Sequence, residues 1–191
     1  MIVRLETKED ILKVVLQDEW MMGILRKAKT LGLPDWWVCA GFVRSKIWDT
    51  IYDYTERTPL PDVDVVYFDP SDISEETEKT LEDQLRRLDP SVPWSVKNEA
   101  RMHLVNGFAP FDSAEDAISQ FAETATALGL TMTDDSELIL TARLGIADAV
   151  NGIVRANPCM LASRETAAVY EARIAKKNWH LLWPHLQIIH V

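Results

Sequence analysis

Positive charge is scarce in this sequence: Lys and Arg number 20 against 30 Asp and Glu, a formal net charge of -10. Non-specific affinity for a polynucleotide comes from cations that neutralise phosphates, so a long RNA or DNA partner is disfavoured. A nucleotide carrying its own magnesium is still admitted, because a local metal or a few cations invert the field inside a cleft. Cysteine is scarce as well. Cys39 lies within the apolar run Trp36-Trp37-Val38-Cys39-Ala40, and Cys159 is far from it in sequence. That placement suits a small buried hydrophobe and gives neither a disulfide framework nor a zinc site. No stretch approaches the ~18 apolar residues of a membrane span. The segment Met1 to Asp10 also lacks the apolar centre of a signal peptide. The expectation is a reduced, soluble, cytoplasmic protein with no membrane partner.

Several chemical signatures are missing too. There is no Gly-x-Gly-x-x-Gly, no Walker loop, no Gly-x-Ser-x-Gly elbow and no His-Glu-x-x-His, so kinase-like, hydrolase and dehydrogenase readings fall away. His180, His185 and His190 share no helical spacing, and Pro184 intervenes. They read as structural or exposed.

What is present is ordinary globular material, 47% hydrophobic and 26% charged over 191 residues, enough for one domain or one domain with a small helical appendage. Ile11, Val14, Val15, Met22, Ile24 and Leu25 recur at helical spacing, predicting one core-facing helix over residues 8 to 28, closed near Gly32 and Pro34. The short apolar run 36 to 43 predicts a strand covered on both faces, and Ile47, Trp48 and Ile51 return to a helical rhythm over 44 to 54. Thr58-Pro59-Leu60-Pro61 then forces extended chain, and Val63 to Phe68 supplies a strand stopped by Asp69-Pro70. Ser74 opens a charged helix running to about Leu88, and Pro93 to Asn98 reads as a third strand followed by a short helical piece. Residues 107 to 136 are turn-rich, a further strand is expected at 137 to 141, and the chain from about 145 to 191 reads as helical, with Ser163 as a cap. Strands alternating with helices give an α/β fold.

The segment with chemical content is Pro61-Asp62-Val63-Asp64-Val65-Val66. On a strand, residues two apart share a face, so Asp62 and Asp64 point into one volume. Like charges held that close raise each other's pKa unless a cation neutralises them, and hard oxygen ligands suit magnesium or manganese. The bland alternative is a solvated strand entrance in which Asp62 caps the turn after Pro61. Asp69 has the opposite parity and reads as a turn residue. Upstream, Val38 to Ser45 runs from a strand through Gly41 into a helix, a junction that offers backbone N–H groups to an anion or serves only as a packing device. Arg44 adds a charge there. Lys97, Arg101 and His103 form a basic cluster that either faces phosphate or is solvated surface.

Cys39-Ala40-Gly41-Phe42-Val43-Arg44-Ser45, one helix, and then Asp62-Val63-Asp64 resemble the signature of the DNA polymerase β-type nucleotidyltransferase superfamily. The motif is similar to the Gly-Gly-x-Val-Arg-Asp of tRNA nucleotidyltransferases and bacterial poly(A) polymerases, with Ala40 in place of the first glycine and Ser45 in place of the aspartate. Together with Trp94 to His103, Trp179 and Trp183-Pro184, the chain also resembles a poorly characterised bacterial family of nucleotidyltransferase-like proteins.

The resemblance implies a single nucleotidyltransferase-like domain over 1–191, with a mixed sheet flanked by helices and a helical portion from about 145. It implies two Mg2+ (or Mn2+) ions on Asp62 and Asp64, and a nucleoside triphosphate held by Gly41, Phe42, Arg44 and Ser45, with Lys97 and Arg101 nearby. Transfer of NMP to a hydroxyl of an unknown small molecule or protein would follow. Family members place a third carboxylate on the next strand, and here Asn98 and Glu99 compete for that position. With Asn98 the site lacks a base, and the protein becomes a nucleotide-binding or interaction module; with Glu99 it is an enzyme. Arg101 locking both aspartates in ion pairs would also favour the module.

Overall fold

The computed structural model describes residues 4–191, so the first three residues of the amino-terminal segment lie outside the described ones. The expected first helix is two. α1 (Lys8–Leu16) starts with a capping box between Thr7 and Asp10, and α2 (Glu19–Lys29) starts at Asp18, whose carboxylate accepts the Met21 N–H. Asp18 also receives Lys46 at 3.0 Å and Arg57 at 2.7 Å, so the break is pinned from two other segments. A hydrophobic period that continues across both helices conceals such a cap.

β1 (Trp37–Cys39) is shorter than the apolar run predicts, because α3 (Gly41–Ile51) begins already at Gly41. β2 (Val63–Tyr67), α4 (Glu75–Leu88) capped by Ser74, β3 (Trp94–Asn98) and α5 (Glu99–Asn106) follow as the sequence indicates. The turn-rich stretch holds α6 (Ala114–Ile118) and an unforeseen strand, β4 (Gly129–Met132), which pairs with β5 (Leu138–Thr141). α7 (Ala147–Val150) comes next. The carboxyl-terminal part is not wholly helical: β6 (Ile153–Val154) and β7 (Gln187–Ile188) form a small parallel pair around α8 (Arg164–Lys177) and α9 (Trp179–Leu182). Ser163 does cap α8, in a capping box with Thr166.

The main sheet has five strands in the order β3-β2-β1-β4-β5, with β2 and β3 parallel and the other pairs antiparallel. This is the mixed α/β sheet flanked by helices that the sequence leads one to expect. One face carries Val38, Val63, Val65, Tyr67, Trp94 and Val96 into the main core with α1, α2 and α4. The other carries Trp37, Cys39 and Val66 against Ala114 and Ile118 of α6. A parity of two therefore decides which side chains meet the core and which meet the opposite face, where Asp64 lies.

A second anchor sets the loop before β2. Trp48 is fully buried, with Trp179 and Trp183 edge-on at centroid distances of 5.5 and 4.9 Å. Trp183 donates its indole N–H to Asp49 at 2.9 Å, and the same carboxylate accepts the Thr58 N–H and hydroxyl. Three rings and one buried acid thus tie α3, the chain entering β2, and α9. Among the described residues no helix is long and apolar enough to cross a membrane.

Candidate active site

Pro59 and Pro61 keep the chain extended as it enters β2, and Asp64 pairs in register with Cys39 on one side and Ser95 on the other. Asp62, Asp64, Gly41, Arg44 and Ser45 line one cavity of about 190 Å³. Asp64 also lines a second cavity, of about 450 Å³, together with Lys97 and Glu99. Glu99 opens α5 directly after β3 and is buried.

Burial dominates the electrostatics of these acids. Desolvation, with the charge of Asp62 next, raises the Asp64 carboxyl to about 6, against a smaller opposing effect of the Ser95 hydroxyl. Desolvation, with Asp64 next and Glu78 after it, raises Glu99 to about 7. Among the described residues none of the three carboxylates enters an ion pair within 4.0 Å. Acids left in that condition attract a cation.

The turn between β1 and α3 is unusual. Ala40 holds φ 56° and ψ -120°, a region that glycine adopts freely and other residues rarely do. The Val43 and Arg44 N–H groups fold back on the Ala40 carbonyl, and no side chain caps the helix. The Gly41 and Phe42 N–H groups are left at the open, positive end of an 11-residue helix. The Phe42 ring itself is in the core, 6.0 Å from the ring of Trp20, so only its backbone belongs to the turn.

Arg44 is buried. Its guanidinium lies over Trp179 at 4.3 Å and Trp48 at 4.9 Å and donates to the Thr126 hydroxyl at 3.1 Å. Desolvation lowers its pKa to about 10, with Glu123 acting in the opposite direction. A terminal nitrogen lies 3.4 Å from the point where a Cβ on Gly41 would stand, so the guanidinium is in van der Waals reach of the turn.

Two expected site residues stand elsewhere. Asn98 is fully buried, accepts the Ala100 and Asp69 N–H groups, and donates to the carbonyls of Asp69 and Asp72. It caps α5 and ties the loop after β2, while Glu99 lines the cavity. Arg101 turns to Glu78 on α4, which also receives Lys97 at 3.4 Å and the Asn98 N–H at 2.9 Å. Arg101 therefore neither locks the aspartates nor joins their cavity, and Lys97 reaches the larger cavity while shared with Glu78. His103 packs its ring edge-on to Phe111, leaving the basic cluster dispersed.

Two further cations that face the aspartates come from α8. Arg173 lines both cavities, and Lys177 lines the smaller one with Asp62 and Trp179. Arg173 is held by Glu123, Nε to Oε1 at 2.5 Å, an acid with no exposed surface. Lys177 is pulled down in pKa, first by desolvation and then by Arg173, while Asp62 works to raise it. One turn of helix separates the two residues, which puts both on one face. Nothing near them in sequence marks that face as functional, because the partners lie on β2 and at its entrance.

A family model described as Nucleotidyltransferase matches residues 26–188. A solved structure described as revealing a CCA-adding enzyme head domain is 33% identical, with each chain covered over 100% of its length and a TM-score of 0.89. A CCA-adding enzyme complexed with CTP is 12% identical at a TM-score of 0.60, covering 94% of this chain and 43% of that one. The Thermotoga maritima CCA-adding enzyme complexed with tRNA is 12% identical at a TM-score of 0.57, covering 97% and 43%. These last two likenesses concern the fold, and the chain spans less than half of either enzyme. A search of curated proteins found no match.

Proposed function

Because the chain belongs to the nucleotidyltransferase family, we propose that it transfers a nucleoside monophosphate from an NTP to a hydroxyl of a small molecule or protein, with metal at Asp62 and Asp64. One observation carries this reading. Asp64, beside Asp62, is a half-buried acid raised to about 6 and left without an ion pair among the described residues. Among the described residues no three His, Cys, Asp or Glu side chains are grouped to hold a metal unaided. Magnesium suits that donor set, since it is commonly held by one or two carboxylates with substrate phosphates and water completing the shell. When bound, the metal supplies charge stabilisation for the attacking and leaving oxygens of an in-line displacement.

The chain's own residues do the rest. The Gly41 and Phe42 N–H groups and the α3 dipole receive phosphate oxygens, and Lys177 and Arg173 face the same cavity. Arg44 acts by position, bracing the turn against Trp179 and Thr126. Glu99, at about 7, is ionised in part at neutral pH and takes the acceptor proton. The acceptor oxygen bonds to the α-phosphorus, the bond from that phosphorus to the bridging oxygen breaks, and pyrophosphate leaves. Placement of Glu99 in the cavity, with Arg101 on Glu78, favours this over a catalytically impaired binding module. The proposal takes residues 1–191 as one domain working in the cytoplasm.

Calorimetric titration with each NTP, with and without magnesium, tests it. Metal-dependent binding that vanishes in the Asp62→Asn, Asp64→Asn double variant is expected. Absence of NTP binding to the native protein would overturn the reading.

A further inference from the structure

We propose that the cavity of about 450 Å³ beside Asp64 and Glu99 receives the acceptor, and that this acceptor is a small molecule with an aromatic or branched apolar body carrying a hydroxyl at one end. The inference rests on the transferase reading and narrows its acceptor from any hydroxyl to one chemical class.

Three relationships lead to it. The two cavities share Ala40, Asp64 and Arg173 as common walls, so molecules placed in each meet across Asp64. The smaller space, about 190 Å³, holds Lys177, Asp62 and the Gly41 turn, and it suits phosphates better than a ring system. The larger has the volume of a small-molecule site. Its lining brings the acids Asp64 and Glu99 together with the apolar side chains of Phe108, Phe111, Phe121, Met160 and Val169, and with polar groups that include Asn106, Gln120 and Thr166.

Chemistry then orients the occupant. A hydroxyl that loses its proton to Glu99 sits beside that carboxylate, and the body behind it is left to the rest of the lining, where Phe108, Phe111 and Phe121 offer apolar surface. A sugar or peptide group laid against those rings would lose hydrogen bonds to water that only the polar lining residues, such as Asn106, Gln120 and Thr166, restore. A polynucleotide would also meet a chain of net charge -10. An apolar body instead gains free energy in proportion to the surface it removes from water.

The test uses 2-naphthol as the probe on the 191-residue chain, titrated with and without saturating magnesium and ATP. The expected result is that 2-naphthol and ATP bind together, neither displacing the other. Val169→Glu should weaken 2-naphthol at least tenfold; Val169 is 59% exposed, so the charge enters at the cavity mouth and not in the core. Competition between 2-naphthol and ATP would assign the cavity to the nucleoside and overturn the inference. Failure of 2-naphthol to bind while ATP binds would overturn it too, leaving the transferase reading standing. Failure of both ligands would remove that reading as well.

Discussion

Arg101 grips Glu78 at two points, Nε to Oε1 at 2.9 Å and Nη2 to Oε2 at 2.8 Å. Glu78 is 1% exposed, and the pair, with Lys97 and the Asn98 N–H, fixes α4 to the end of β3 from which Glu99 emerges. An acid this deep is costly when its partner is removed. Arg101→Ala is expected to lower the unfolding free energy by about 3 kcal/mol, read from urea denaturation. A loss under about 1 kcal/mol would mean that Lys97 alone meets the charge.

Glu99 and Asp64 predict opposite effects on stability and turnover. Burial raises their carboxyls to about 7 and about 6 from ordinary values of 4.5 and 3.8. In the metal-free protein the folded state therefore holds more protons than the unfolded chain between about pH 4 and 7. Stability is full below that window and falls as pH rises through it. Glu99→Gln is expected to add about 3 kcal/mol at pH 8 and to cut kcat at least about 100-fold. The native rate should rise with pH as Glu99 ionises, and the variant's should lose that limb. A variant that is no more stable at pH 8 than at pH 5, relative to the native protein, would contradict the buried-acid account.

Ala40 supplies a cleaner backbone test. With φ 56° and ψ -120° it occupies a glycine conformation at the entrance to α3. Ala40→Gly is expected to raise stability by about 1 kcal/mol, strain relief outweighing the extra freedom glycine has when unfolded. Thermal unfolding decides it: a lower midpoint would mean that the methyl group contributes more by packing than the turn costs.

Lys177 enters no ion pair among the described residues, yet lines the cavity with Asp62. Lys177→Gln is expected to raise the Kd for ATP with magnesium about tenfold and leave the urea midpoint in place. An unchanged Kd would remove Lys177 from the phosphate site.

The sequence made some of this legible and hid the rest for physical reasons. β2 and β3 are rich in β-branched and aromatic residues and bounded by proline, and α4 has its serine cap, so local signals agree with the fold. β4 was hidden by Gly129, which reads as a turn residue. In the structure a Cβ there would lie 3.0 Å from Ile118 Cδ1 and 3.2 Å from Thr141 Cγ2, so the glycine serves close packing inside a strand. β6 and β7 have two residues each, too few for any period to show. Asp62 and Asp64 share a face by strand parity, which leaves Asn98 and Glu99 undivided because Glu99 already opens α5, whereas Arg173 and Lys177 reach the same place only through the docking of α8.

Synthesis of a chain begins at its amino terminus, so Asp62, Asp64 and Glu99 leave the ribosome well before α8 does. Until Arg173 and Lys177 arrive, the cleft is a group of acids with no cation from α8 opposite them. A product cut short before Arg164, where α8 begins, would carry the acids and the open end of α3 but neither of these positive charges, and so would keep the motif while leaving its acids without the two cations that face them from α8.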